Sequence, residues 1–288
     1  MINYLLIRLV KILLGLRYRV RVQGLEQIIT RGRRGILFLP NHPALIDPII
    51  LMSRLYDTFQ PRALADEVQI DRFFIRRLAR RMGVLPIPDI GRSGSTVAGE
   101  VRDMINRCIE ILRNNGNLLL YPAGQAYRQY LEDIRGNSAV DRILGELPSV
   151  RIVLVRTHGL WGSSFSWASG KEPSVSRALW HGVRSLLLSG LFFTPRRQVN
   201  IELIEPEDFP RHADRNTINE YLQNFYNENA RPNTYVPYSL WEKGSVRQLA
   251  EPDSLLVEGD PRRIPPATRR LSLKQAPAKP TTAPLPKN

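Results

Sequence analysis

Three short, wholly apolar runs constrain the fold of this chain more than any other feature. They are Ile36–Leu39, Leu118–Leu120 and Ile152–Val155. A strand that is apolar throughout, rather than at alternate positions, is buried on both faces, as in a parallel sheet covered by helices. Stretches with the apolar spacing of a helix, such as residues 96–114, lie between these runs. The pattern predicts an α/β fold with a mostly parallel central sheet flanked by helices.

The same patterns divide the chain into three parts. Residues 1–17 are predicted to form an amphipathic helix, residues 18–250 the main domain, and residues 251–288 a disordered tail rich in proline and basic residues. Within the domain, further strands are predicted at 20–22, 62–65, 84–87 and 199–204, and further helices at 44–55 and 70–82. The single cysteine, Cys108, falls on the apolar face of the 96–114 helix, which favours a buried structural thiol.

The net charge of +14 predicts an anionic partner. Residues 1–35 hold eight Lys or Arg residues against the single acid Glu26, interleaved with leucines. Such a helix is typical of an element lying on an anionic membrane surface. The alternative is an ordinary amphipathic helix packed on the domain, and one helix could do both. It is too short and too interrupted to span a bilayer. A second apolar element, Leu186–Phe193 with a basic end, is interpreted either as a core helix or as a second membrane contact. No nucleic-acid-binding motif accompanies the charge, so no nucleic-acid partner is predicted.

His42 and Asp47 stand five residues apart, directly after the first apolar run. A histidine whose second ring nitrogen is held by a carboxylate is a common arrangement for a general base at neutral pH. Pro43 suits the first turn of a helix, which places His42 at the carboxyl end of a strand, where ligands of α/β sheets bind. The pair is therefore the candidate catalytic site, although such a spacing also arises by chance.

A second loop, Tyr121–Arg128, follows the second apolar run. Gly124 would let the backbone approach a ligand closely, and Arg128 offers a planar donor fork suited to phosphate. His158 follows the third run, where it is interpreted either as a second catalytic group or as a residue that packs in a loop. The scattered histidines and the single cysteine predict no metal site.

Together the two loops resemble the glycerolipid acyltransferase family, which includes enzymes that acylate lysophosphatidic acid. The family's His-x4-Asp block matches Asn41-His42 through Asp47, and its aromatic-Pro-Glu-Gly-Thr-Arg block matches Tyr121–Gln125 in outline. Ala123 stands where most members have Glu, Gln125 where they have Thr, and Arg128 is the displaced arginine. The second block is poorly matched by residues 83–90, with Arg92 the nearest candidate for its arginine. The Pro-Ala-Gly-Gln form resembles a bacterial branch often fused to acyl-activating synthetases.

The resemblance implies a glycerol-phosphate acyltransferase-like fold and a reaction that moves a fatty acyl group from acyl carrier protein or coenzyme A to a lysophospholipid hydroxyl. His42 would be the base, Asp47 would orient it, and no cofactor beyond the thioester co-substrate would be needed. The implied substrate-binding residues are Asn41, Arg92, Gly124, Gln125 and Arg128. The implied location is peripheral or monotopic on the cytoplasmic face of the inner membrane, with a synthetase as a further partner. The alternative is a catalytically weakened relative that binds lipid as a scaffold for a separate synthetase.

Overall fold

A computed structural model describes residues 2–66, 84–87, 95–190, 193–242 and 244–252. Within these ranges, seven strands form the central sheet, in the order β1-β7-β6-β2-β5-β3-β4. Their bounds are β1 Tyr18–Gln23, β2 Ile36–Pro40, β3 Arg62–Asp66, β4 Leu85–Ile87, β5 Leu118–Leu119, β6 Arg151–His158 and β7 Arg197–Ile204. A separate antiparallel pair consists of β8 Thr234–Tyr235 and β9 Arg247–Gln248.

The five strands β6, β2, β5, β3 and β4 run parallel to one another. Strand β7 is antiparallel to β6, and β1 is parallel to β7. The predicted mostly parallel α/β sheet is therefore confirmed. Because β6, β2 and β5 run the same way, the chain leaves all three at one edge of the sheet, where the segments beginning at Asn41 and Leu120 lie side by side.

Helices cover both faces of the sheet. Their bounds are α1 Ile2–Arg17, α2 Leu25–Thr30, α3 Asp47–Phe59, α4 Ser95–Arg113, α5 Ala139–Glu146, α6 Val175–Leu188 and α7 Arg215–Asn227. Side chains of α1, α3 and α6 share one apolar core with Phe38 of β2, and those of α4, α5 and α7 share the other core with Leu37 and Leu39. Alternate residues of β2 thus face opposite cores, which explains its wholly apolar sequence.

The first predicted helix inside the domain begins later than its sequence suggests. Helix α3 starts at Asp47 rather than at residue 44, and Pro48, not Pro43, occupies its first turn. The segment before it is instead fixed by a hydrogen bond from the Leu45 backbone N–H to the Phe165 carbonyl, at 2.9 Å. This tertiary contact overrides the local helical preference, so His42 lies in a segment without regular secondary structure, five residues before Asp47, rather than on the helix.

The second apolar element is also not a single unit. Helix α6 contains Leu186–Leu188 but ends there, and Gly190 follows with a positive φ of 63°. The predictions of a helix at 70–82, of a role for Arg92 and of a disordered tail fall on residues outside the described ranges, apart from the tail's first two positions. Within the described ranges, no helix combines the length and apolar character needed to cross a bilayer.

Candidate active site

The candidate site lies at the carboxyl edge of three adjacent strands. His42 follows β2, Tyr121 follows β5, and Thr157 lies near the end of β6. The His42 and Tyr121 rings are 4.4 Å apart between centroids, and the Tyr121 hydroxyl donates a hydrogen bond of 2.9 Å to Asp47 Oδ2. The sheet therefore brings together the two loops that the sequence identified separately.

The His42 imidazole and the Asp47 carboxylate face each other. Nδ1 of His42 lies 3.8 Å from Oδ2 of Asp47, with the two side chains 12% and 0% exposed. This separation is longer than a hydrogen bond, and such contacts in substrate-free sites often shorten when the substrate is bound. Nε2 is the nitrogen left to act on a substrate, since Nδ1 faces Asp47.

Burial sets the charge state of both groups. It lowers the pKa of His42 to about 3, and the positive charge of Arg128 acts in the same direction. Burial raises the pKa of Asp47 to about 7, opposed by the hydroxyl groups of Tyr121 and Thr157, which lower it. At neutral pH the His42 imidazole is therefore uncharged and able to accept a proton. The imidazolium that results would be stabilised by Asp47 in its ionised form.

Asn41 holds β2 and β6 together at this edge. Its Nδ2 donates to the Thr157 carbonyl at 3.1 Å, and its Oδ1 accepts from the Thr157 N–H at 2.7 Å. The Asn41 side chain is buried. Its two hydrogen bonds to Thr157 extend the pairing of the parallel strands β2 and β6 by one more residue. This geometry gives Asn41 a positioning role next to His42, in addition to the substrate contact expected from the sequence.

The Tyr121–Arg128 loop turns at Gly124, whose φ of 70° favours glycine. The Gly124 N–H donates to the Tyr121 carbonyl at 3.0 Å, so this amide is committed to the turn rather than to a substrate oxygen. Gln125 is half-buried. The guanidinium of Arg128 stacks on the Trp167 ring, with Cζ 4.1 Å from its centroid, and its charge reaches His42. Arg128, a predicted phosphate ligand, is thus close enough to the base to affect its pKa.

Comparison with known proteins agrees with this geometry. Residues 19–155 match the family model described as Acyltransferase. Over these residues the chain is similar to the acyltransferase family. The fold is similar to the crystal structure of the 1-acyl-sn-glycerophosphate (LPA) acyltransferase PlsC from Thermotoga maritima, with a TM-score of 0.51, 15% identity, and coverage of 78% of this chain and 80% of that one. The search of curated proteins gave no match.

The matched region contains His42, Asp47 and the Tyr121–Arg128 loop, so both candidate loops lie inside the acyltransferase domain. The predicted family, fold class and enzyme class are confirmed at this level. The α6, β7 and α7 segments lie beyond the family match, yet α7 contacts the site directly, since the Tyr226 hydroxyl donates to the Leu39 carbonyl at 2.9 Å.

The acyltransferase site also contains a carboxylate that sequence reasoning missed. Oε2 of Glu132 accepts the backbone N–H of His42 at 2.8 Å, and the Glu132 side chain is buried. Glu132 lies nine positions after Ala123, and no motif spacing marks it. The available signal was weak: two adjacent acids, Glu132 and Asp133, after an aromatic and basic stretch.

A polar pocket adjoins this acyltransferase site on the side of β6. The residues that line it include Asn41, Tyr127, Glu132, His158 and Arg231. His42 and Asp47 do not line it, so His158 lies beside the site rather than in it. Burial and the charges of Arg156 and Arg231 lower the pKa of His158, which therefore remains neutral at pH 7.

Two further sequence interpretations concern cysteine and metal. Cys108 is buried in the α4 core, and burial raises the pKa of its thiol to about 11, which makes it a structural residue as predicted. Among the residues that the structure describes, no cluster of three or more His, Cys, Asp or Glu side chains is arranged to hold a metal ion. The expectation that only a thioester co-substrate is required remains a prediction.

Proposed function

We propose that this acyltransferase moves a fatty acyl group from acyl carrier protein or coenzyme A to the free hydroxyl of a lysophospholipid or glycerol-phosphate lipid. The observation that carries the proposal is the neutral His42 beside the buried Asp47, inside the matched domain and next to Arg128. Free hydroxyl groups are poor nucleophiles at neutral pH, so a positioned base is the element such a reaction needs most.

The reaction follows from these groups. Nε2 of His42 takes the proton of the acceptor hydroxyl while the oxygen attacks the thioester carbonyl carbon. The ionised Asp47 stabilises the imidazolium, as in hydrolytic triads. The tetrahedral intermediate then collapses, the C–S bond breaks, and the proton passes from His42 to the departing thiolate. The acceptor is itself the nucleophile, so no acyl-enzyme forms, in agreement with the buried state of Cys108.

Arg128 is proposed to hold the acceptor's phosphate. Its planar fork suits a phosphate oxygen pair, and stacking on Trp167 fixes the plane of the guanidinium. Gln125 and Arg92 are proposed as further contacts, as the family resemblance implies. A phosphate bound here would also offset the positive charge that lowers the pKa of His42, so acceptor binding would make the base stronger.

The test offers purified protein both thioester types with a panel of lysolipids in vesicles, read by lipid mass spectrometry. We expect a diacyl product with at least one donor, and stronger turnover with acceptors that carry a phosphomonoester. Lipid binding without turnover of any thioester would instead support the scaffold alternative, which the replacement of the motif's Glu by Ala123 suggested. Adding an acyl-activating synthetase with free fatty acid and ATP then tests whether such a partner supplies the donor.

Helix α1 is proposed to bring the enzyme to an anionic membrane. Ile7 and Leu14 pack in the core, whereas Leu5, Leu9 and Ile12 lie on the opposite, exposed face with Arg8. The helix is thus packed on the domain on one side and apolar on the other. The two interpretations left open by the sequence are compatible, because different faces of α1 serve them.

Helix α6 is proposed to extend this apolar face. Arg17 at the end of α1 stacks on the Tyr238 ring, whose centroid lies 4.5 Å from that of His181 in α6. The exposed side chains of α6 include Trp180 and Leu187, and Trp241 lies three residues beyond Tyr238.

We define the membrane-docking surface as these exposed apolar residues of α1, α6 and residues 240–241. Exposed arginines on α6, Arg177 and Arg184, suit anionic head groups on the cytoplasmic face of the inner membrane.

Replacing Trp180 and Leu187 together by Glu should abolish binding to anionic vesicles. Full burial of each side chain contributes about 1.5–3 kcal/mol, so the partition coefficient should fall on the order of 100-fold or more. The control is Arg102→Glu on α4, which changes the net charge by the same two units on the opposite side of the sheet. Vesicle flotation measures the effect. Equal loss of binding in both variants would indicate that only net charge matters, and retention in both would contradict the docking surface.

A further inference from the structure

The main chain of His42 is held by groups that lie outside the His-x4-Asp segment. Its N–H donates to Glu132 Oε2 at 2.8 Å, and its carbonyl accepts from the Tyr127 N–H at 3.1 Å. The Tyr127 bond comes from the end of the Tyr121–Arg128 loop, and the Glu132 bond comes from the segment that follows it. The orientation of the imidazole therefore depends on where this segment lies, not only on β2.

Glu132 is itself fixed by helix α7. The Glu132 N–H donates to Asn227 Oδ1 at 2.8 Å, and Asn227 Nδ2 returns a bond of 3.0 Å to the Glu132 carbonyl. Two residues on, the Ile134 N–H donates to Gln223 Oε1 at 2.8 Å. Tyr226 of the same helix binds the Leu39 carbonyl of β2. One helix thus fixes both the strand that leads to His42 and the carboxylate that holds it.

We propose that Glu132 is the positioning residue that fixes the His42 backbone in this enzyme, braced by the last turn of α7. A buried carboxylate accepting a backbone N–H makes a hydrogen bond stronger than one between neutral groups. The chain has Ala123 where the motif usually places a carboxylate, and Glu132 supplies one to the catalytic segment from nine residues further along. The activity part of this inference rests on the proposed function, whereas the hydrogen bond itself does not.

Three variants separate the hydrogen bond from charge and from folding. Glu132→Ala removes the acceptor, Glu132→Gln keeps an acceptor oxygen but removes the charge, and Asp133→Ala is the control. Asp133 is the neighbouring carboxylate and pairs with Arg135 at the surface, at 2.6 Å. We expect kcat to fall on the order of 100-fold in Glu132→Ala with little change in KM, because a small displacement of the base has an effect of this size. Glu132→Gln should restore most of that loss, and Asp133→Ala should match the wild type.

A second readout does not depend on turnover. The chain has four histidines, so ¹⁵N-histidine labelling gives four backbone amide signals, and His42→Asn identifies the relevant one. We expect the His42 amide to move upfield strongly in Glu132→Ala, moderately in Glu132→Gln and not in Asp133→Ala.

An unchanged His42 amide in Glu132→Ala would overturn the proposal whatever the activity. A shifted amide with full acyl transfer would show that the bond exists but does not position the base. If the wild type transferred no acyl group, the proposed function would fail while the amide shift still decided the positioning contact.

Discussion

Replacing His42 by Ala should lower the rate of acyl transfer by about 10²- to 10⁴-fold, the range typical of a lost general base. The imidazole is the group placed to take the hydroxyl proton, since Asp47 is buried behind it and faces Nδ1. The effect should appear in kcat more than in KM, because no substrate contact is removed apart from the proton transfer. The measurement is steady-state transfer from the preferred thioester, with thermal unfolding to confirm that the variant is folded.

His212→Ala is the matched control for this variant. His212 is exposed on the segment before α7, and its removal should leave the rate unchanged. If a folded His42→Ala protein kept full acyl transfer, the assignment of the base would be wrong, and His158 at the end of β6 would become the next candidate.

Replacing Asp47 by Asn should lower transfer to a similar extent, on the order of 10³- to 10⁴-fold, without unfolding the protein. The Tyr121 hydroxyl and His42 Nδ1 both face Oδ2 of Asp47, so an Asn carbonyl in this position could still accept the Tyr121 hydroxyl. The neutral amide lacks the negative charge that would stabilise the imidazolium formed during transfer. The matched control is Asp57→Asn, a surface carboxylate on the same helix, paired with Lys11. Activity near the wild-type level in Asp47→Asn would contradict the role of the carboxylate.

The Asp47 variant should also change the pH dependence. With a pKa near 7, ionised Asp47 becomes available only as the pH rises through neutrality, so the wild-type rate should rise there. Between pH 3.8 and 7 the folded protein keeps the Asp47 proton, whereas the unfolded chain has released it. Asp47 therefore makes the free energy of unfolding fall as the pH rises from 3.8 to 7. Asp47→Asn should remove that fall and melt at a higher temperature than the wild type at pH 8. An identical pH profile of melting in the two proteins would contradict the raised pKa.

The fold was largely predictable because the strands are distinct in the sequence. Continuous apolar runs marked β2, β5 and β6, and burial on both faces is the physical cause of such runs. The three parallel strands then brought His42 and Tyr121 to one edge of the sheet. The start of α3 was misplaced because the bond from Leu45 to the Phe165 carbonyl, more than a hundred residues away, is invisible to local patterning.

The sequence predicted only those site residues that have reactive side chains and lie close together in the chain. His42 and Asp47 are both reactive types and close in sequence, so the pair could be identified. Glu132 and α7 could not, because their effect on His42 passes through hydrogen bonds between segments 90 and more residues apart. The donor of this bond is a backbone N–H, which every residue except proline has, so the contact also leaves no trace in residue type. The sequence therefore identified the proposed base and its orienting partner but not the groups that hold them.

The most direct test of the central claim measures thioester consumption and lipid acylation together, in vesicles that contain the preferred lysolipid. We expect one diacyl lipid formed for each thioester cleaved, and little cleavage when the lysolipid is omitted. Thioester hydrolysis without acylated lipid would mean that the His42 base activates water instead of a lipid hydroxyl, and would contradict acyl transfer to lipid as the function.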